Sequence, residues 1–190
     1  DTLDGGAGND TLEGGGAETS AVNFSTDRDY GGSSGFQTGS TYKIMGLLAW
    51  LNSGRGLSEV VDASEFKKDQ SHYLDTCEDG GGPWGGMWEF KNDAQAPKVV
   101  TVLQAVSASI NSAFASIGEQ LDQCDIRGMA ESLGIHRADS AKLQTNPSAI
   151  LGTNEIAPLT MATAWAGIAN NGKYCESIVL DHAVGPNGEE

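Results

Sequence analysis

Gly39-Ser40-Thr41-Tyr42-Lys43 runs directly into Ile44-Met45-Gly46-Leu47-Leu48-Ala49-Trp50-Leu51, and the reading of this stretch decides the rest of the chain. The glycine ends a loop, and the apolar residues after Lys43 recur at helical spacing. Together they predict an amphipathic helix from about Ser40 to Asn52, stopped at Gly54, with Ser40 on its first turn. Residues three apart share a helix face, so the Lys43 amine can reach the Ser40 hydroxyl. The partial positive charge of a helix start favours a developing alkoxide. A serine placed this way can be activated without a histidine.

A serine and a lysine at this spacing arise by chance about once in a chain of this length. Ser64-Glu65-Phe66-Lys67 is such a copy. It runs on into Lys68, Asp69, Gln70, Ser71 and His72, with no apolar stripe to bury a helix, and is read as a decoy. The first copy gains weight from Ser109-Ile110-Asn111, the one serine-x-asparagine of the chain, which falls inside another predicted helix.

Taken together, these residues resemble the transpeptidase domain of penicillin-binding proteins. Its group of serine acyltransferases carries serine-x-x-lysine, serine-x-asparagine and lysine-threonine-glycine in that chain order. The first two are present in order; no Lys-Thr-Gly triplet occurs. Gly35 to Lys43 is similar to the approach to the nucleophile in bifunctional class A enzymes, especially actinobacterial ones. Trp88-Glu89-Phe90-Lys91-Asn92 resembles the family's tryptophan/asparagine loop, and Leu159 to Ala164, through Asn171-Gly172, a later family helix. The resemblance implies an α+β fold of the penicillin-binding, β-lactamase-like kind, of which this chain holds the helix-rich part without most of the central antiparallel sheet.

The resemblance also implies roles. Ser40 is the expected nucleophile, Lys43 its proton acceptor and Ser109 a proton relay, while Asn111, Trp88 and Asn92 are expected to bind substrate. The expected partners are peptidoglycan stem peptides and β-lactam antibiotics, met at the extracytoplasmic face of a bacterial membrane or in the cell wall. A membrane anchor and a glycosyltransferase domain are expected only outside this chain. Without the Lys-Thr-Gly strand, the chain is expected to be badly impaired as a D,D-transpeptidase.

Composition agrees with that setting. The 190 residues suit one domain of ordinary size. With 11 basic and 26 acidic side chains the formal charge is −15, which argues against nucleic-acid binding. No apolar run reaches the length of a membrane span, and nothing at the start reads as a signal peptide. The three cysteines lack zinc-like spacing; Cys77 and Cys124 are expected to pair, leaving Cys175 over.

Residues 1–18 are of a different class. Gly5-Gly6-Ala7-Gly8-Asn9-Asp10-Thr11-Leu12-Glu13 fits the calcium-binding nonapeptide of RTX β-rolls at every fixed position, and Asp1 to Asp4 fit the tail of a preceding repeat. The next repeat fails at Ala17 and Thr19. Calcium needs six to eight oxygens, and neighbouring coils must supply most of them. A flexible glycine-rich tail is therefore the favoured reading of 1–18, with Asp10 the one calcium candidate, no tight binding expected, and residues 19–190 the partial transpeptidase domain. The alternative function is an RTX-type calcium-binding secreted protein with an inert second domain. No other cofactor is expected.

Elsewhere, residues 17–38 read as a polar loop and residues 64–97 as loop-rich, with Trp84 and Trp88 set among glycines. Val99, Val100, Val102, Leu103 and Val106 predict one short helix, and Ile110, Ala113, Phe114, Ile117 and Leu121 another. A third covers Cys124 to Leu133, and Pro158 opens a fourth through Ala169. Ile178-Val179-Leu180 reads as a strand.

Overall fold

The structure is a computed structural model and describes residues 21–79 and 81–178. The RTX-like stretch with Asp10, and Val179 and Leu180 of the strand expected over Ile178–Leu180, lie outside the described residues.

In chain order the elements are α1 (Arg28–Gly31), β1 (Phe36–Gln37), a 3-10 helix (Gly39–Tyr42), α2 (Lys43–Asn52), β2 (Val60–Asp62), β3 (Lys67–Asp69), a 3-10 helix (Gln70–His72) and β4 (Met87–Glu89). There follow β5 (Val99–Thr101), α3 (Val102–Ser107), α4 (Asn111–Glu119), α5 (Gln123–Ser132), a 3-10 helix (Pro147–Leu151), β6 (Glu155–Ile156) and α6 (Pro158–Ala169). The strands pair two by two and antiparallel: β1 with β6, β2 with β5, β3 with β4. Among the described residues no larger sheet forms, so helices build the core, as the α+β, helix-rich expectation requires.

The core is organised around α2. Tyr42, Met45, Ala49 and Trp50 are buried, and α2 packs on α4 and α5. Ile150, on the 3-10 helix Pro147–Leu151, is fully buried where α2 and α4 each present a glycine. A Cβ on Gly46 would stand 2.8 Å from its Cδ1, and one on Gly118 3.3 Å. These close approaches set the depth at which the Pro147–Leu151 turn sits, and that turn supports the start of α2. Burying one such side chain contributes about 2 kcal/mol.

Several sequence expectations change. Val99–Thr101 is a strand, because the β-branched run Val99-Val100-Thr101 registers against Val60–Asp62 (Val61↔Val100). The helix begins only at Val102, where Thr101 forms a capping box with Gln104. The stretch 64–97 is not only loop: Lys68↔Trp88 registers a short ribbon. Ser109 lies in a left-handed turn (φ 50°) between α3 and α4 rather than inside a helix. The Ser64 copy lies off any helix, its backbone N–H held by Asp62 Oδ1 at 2.7 Å and its lysine on β3.

The N-terminal segment docks through a histidine. His136 Nε2 lies 2.9 Å from Asp27 Oδ2 and Nδ1 lies 2.8 Å from the Gly134 carbonyl. Both partners are acceptors, so both ring nitrogens donate and the ring is an imidazolium. Burial pushes its pKa down, but the Asp27 carboxylate and the Gly134 carbonyl outweigh this and hold it above the ordinary value of 6.5. A raised pKa stabilises the fold fully below the unfolded value, and that stabilisation is lost as pH rises through the folded one. The contribution of His136 to the thermal midpoint should therefore be lost as pH rises above the ordinary 6.5 and through its raised folded value, and His136→Ala should remove that loss. Identical pH dependence in the two proteins would contradict the assignment.

Candidate active site

The start of α2 is tied to the end of the 3-10 helix Pro147–Leu151. The Gly39 N–H donates to the Gly152 carbonyl at 3.0 Å, and the Thr41 hydroxyl donates to the Thr38 carbonyl at 2.7 Å. Gly152 has a φ of 88°, and a Cβ there would stand 2.0 Å from the Gly39 oxygen. Only glycine fits this contact. The 3-10 turn Gly39–Tyr42 leaves the Ser40 side chain exposed, while Lys43, one turn on, is buried at 4% exposure.

Lys43 is the electrostatic centre of the site. Its ammonium donates to the Ser109 carbonyl at 2.7 Å, the Ser109 hydroxyl at 2.9 Å and Asn111 Oδ1 at 2.5 Å. Three protons meet three acceptors. The Phe114 ring lies below it, 5.4 Å from Nζ to the centroid. Burial lowers its pKa to about 8, against an opposing pull from the Asp93 carboxylate. At neutral pH the resting form is the ammonium, and little alkali is needed to expose a lone pair.

The turn at Ser109 explains how one residue offers two acceptors. Its left-handed backbone costs a non-glycine residue about 1 kcal/mol. In return, its carbonyl, released from any helix, and its hydroxyl converge on one amine. Ser40, Lys43 and Ser109 line one cavity of about 300 Å³, whose other walls are Thr41, Ile44, Leu47, Val106, Phe114 and Trp165. The walls are mainly apolar, which keeps the amine poorly solvated. A hydroxyl at a helix start beside a dry amine of lowered pKa can form an ester with a carbonyl substrate, with the amine shuttling the proton.

The structure thus brings four expected residues together: Ser40, Lys43 and Ser109 around the cavity, and Asn111 through its bond to Lys43. It does not bring Trp88 there. Trp88 lies on β4 against Tyr73 (centroids 6.1 Å) and Phe90 (4.6 Å), an aromatic packing cluster. Asn92 is bonded to Ser112, and with Lys91 and Asp93 it borders a separate open groove of about 570 Å³. Sequence reasoning missed Asp93 and Ser112; neither sits in a motif. Gly152 carried a signal, an isolated glycine after an Asn-Pro turn.

This constellation defines a class, that of serine acyltransferases in which lysine replaces histidine. Within that class the chain belongs to the penicillin binding protein transpeptidase domain family, whose model matches residues 17–187. It is 32% identical over 157 residues to penicillin-binding protein 1A of Neisseria meningitidis serogroup A, covering 80% of this chain and 18% of that protein. It is 27% identical over 161 residues to penicillin-binding protein 1A of Mycobacterium tuberculosis, covering 82% and 18%. The chain thus spans about a fifth of the length of these curated relatives. Among solved structures, PonA1 of M. tuberculosis superimposes with a TM-score of 0.66 at 23% identity, over 82% of this chain and 40% of that one. The penicillin G acyl-enzyme complex of M. tuberculosis penicillin-binding protein A gives 0.54 at 20%, over 72% and 33%. Both likenesses concern the fold. Among the described residues no helix is long and apolar enough to cross a membrane, and no group of three potential metal ligands forms.

Proposed function

We propose that the chain carries the serine half of a peptidoglycan D,D-transpeptidase site, with Ser40 as nucleophile, Lys43 as proton acceptor, Ser109 as relay and Asn111 as substrate anchor. The observation that carries the reading is the buried Lys43 amine, bonded to Ser109 and Asn111 beside Ser40 in one cavity. The substrate is the stem peptide of peptidoglycan. In its neutral form Lys43 takes the Ser40 proton as the oxygen attacks the carbonyl between two terminal D-alanines. The C–N bond breaks, the leaving amine takes a proton passed through Ser109, and an ester to Ser40 remains. An acceptor amine from a second strand then displaces the serine, which regains its proton. A β-lactam opens by the same attack and leaves an ester that is slow to clear; a relative of similar fold is known as a penicillin G acyl-enzyme complex.

The oxyanion of this reaction needs two donors. The Ser40 N–H is one, and in the family the Lys-Thr-Gly strand supplies the second. The sequence holds no such triplet, so acylation by this chain alone is proposed to be slow; one lost donor raises the barrier by about 3 kcal/mol. The whole protein is proposed to act outside the cytoplasmic membrane, with its anchor outside these residues.

Labelling by a fluorescent penicillin, followed against pH, tests the reading. With Lys43 at about 8, the rate should climb as the ammonium loses its proton and level off above about pH 8. A rate that ignores pH across this range, or no covalent label at all, would overturn it.

A further inference from the structure

Helix α4 begins without a cap of its own. Its N-cap position is Ile110, whose side chain is buried and accepts no hydrogen bond. An uncapped helix start leaves N–H groups without partners. Here the acceptor comes from another segment: Asn92 Oδ1 takes the Ser112 N–H at 2.9 Å. This is the bond that an asparagine at the N-cap would make, supplied from twenty residues upstream. The partnership is reciprocal, since Asn92 Nδ2 donates to Ser112 Oγ at 3.0 Å, and that fully buried hydroxyl donates onward to the Ala63 carbonyl at 2.8 Å.

The clamp has a consequence one residue to each side. The carbonyl of Lys91, which precedes Asn92, accepts from Asn111 Nδ2 at 2.6 Å. Asn111 precedes Ser112. An amide that donates through its nitrogen to Lys91 must turn its oxygen the other way, and that oxygen faces the Lys43 ammonium at 2.5 Å. A flipped Asn111 would set an N–H donor against the ammonium and leave the Lys91 carbonyl without a proton. We infer that Asn92 is a positioning residue for the Lys43 amine: by capping α4 from the neighbouring loop it fixes the Lys91 carbonyl, which fixes the Asn111 amide, which holds Lys43 in register with Ser40.

This changes the expectation for Asn92, which acts through two other residues on the amine. It also joins the open groove lined by Lys91, Asn92 and Asp93 to the chemistry: a ligand that moves this loop moves the acceptor of Lys43. The functional consequence rests on the acyl-transfer reading above; the geometry and its test do not. The groups that face Lys43 are Ser109 and Phe114 from the turn and α4, Asn111 from the start of α4, and the Asp93 charge from the same loop.

The test reads Lys43 directly, in the whole chain, by NMR titration of lysine labelled at the side-chain amine, with the signal assigned by its loss in Lys43→Arg. The wild-type midpoint is expected near 8. Asn92→Ala frees the loop, so the ammonium loses an oriented acceptor and the nearby Asp93 charge, and the midpoint should fall by about one pH unit. Asn111→Ala should lower it too, and the double variant should fall no further than the larger single change. Asn92→Asp keeps the capping acceptor and adds a charge, so its midpoint should stay at or above that of the wild type. A purely structural role predicts the opposite sign for Asn92→Ala, since a frayed and hydrated site would carry Lys43 up towards the ordinary 10.5. An upward shift, or none, overturns the inference. If the shifts appear as stated while wild type takes no penicillin label, the acyl-transfer reading fails and the positioning role stands.

Discussion

Ser40→Ala should abolish covalent labelling of the chain by a fluorescent penicillin, and Lys43→Ala should slow it by about a thousandfold. The two effects differ because the first variant removes the atom that forms the ester. The second leaves that atom in place without a proton acceptor. Lys43 is suited to this work by its surroundings: 4% exposed, over the Phe114 ring, with burial drawing its pKa down to about 8. Asn111→Ala should slow labelling by only about tenfold, because it removes one acceptor and one positioning bond while the path from Ser40 through Lys43 to Ser109 survives. Ser64→Ala should change nothing. Its lysine partner, Lys67, is on a strand and paired with Glu89 at 3.0 Å, so no helix face joins the two. Rates from stopped-time gels of the four variants check the series, and loss of label in Ser64→Ala with retention in Ser40→Ala would reverse the assignment.

The largest effect on stability is expected at the disulfide. Cys77 and Cys124 are bonded across 47 residues, as expected from sequence, and Cys175 is a free, exposed thiol. The bond joins the strap that precedes it to the first turn of α5. Neighbouring bonds tie the same two pieces: the Thr76 hydroxyl donates to Asp122 Oδ2 at 2.5 Å, and the Gln123 N–H to the Leu74 carbonyl at 2.9 Å. Closing a loop of this length removes enough unfolded-chain freedom to stabilise the native state by about 4 kcal/mol in the chain-entropy treatment. The double change Cys77→Ser, Cys124→Ser should therefore lower the free energy of urea unfolding by about 3 kcal/mol, the polar bonds retaining part of the strap. Since α5 packs on α2, penicillin labelling at elevated temperature should fail earlier in that variant. Unfolding midpoints that coincide would show that the polar bonds suffice.

The sequence made the helical elements legible wherever one face is apolar over two turns or more. Helices α2, α4, α5 and α6 lie close to their expected bounds, with Pro158 opening α6 and Gly134 following α5. Two helices, one through Val106 and one from Ile110, were legible, but the place of Ser109 in the turn between them was not, because Ser109 was expected inside the second helix and adopts a left-handed backbone instead. What holds the turn is the convergence of the Ser109 carbonyl and hydroxyl on Lys43, a contact 66 residues away in sequence. The strands were missed for a related reason: two or three residues cannot show a period, and Val60–Asp62 and Lys67–Asp69 are defined by their partners.

At the site, Ser40, Lys43, Ser109 and Asn111 could be named because their types and spacing form motifs. The Asn92–Ser112 clamp carries no such mark, since an asparagine that caps a distant helix looks like any loop asparagine. For Trp88 the sequence leaves two readings, since a tryptophan among glycines fits both a platform and a packed anchor; its rings pack against Tyr73 and Phe90.

The central claim is that Ser40 is the residue that becomes acylated. Peptide mass mapping after incubation with penicillin G tests it most directly. The account predicts an added mass equal to one whole antibiotic molecule, because the opened ring loses no atoms, on the peptide containing Ser40 and on no other. An adduct on the peptide with Ser64 or on that with Ser109, or an unmodified Ser40 peptide beside a labelled chain, would contradict it.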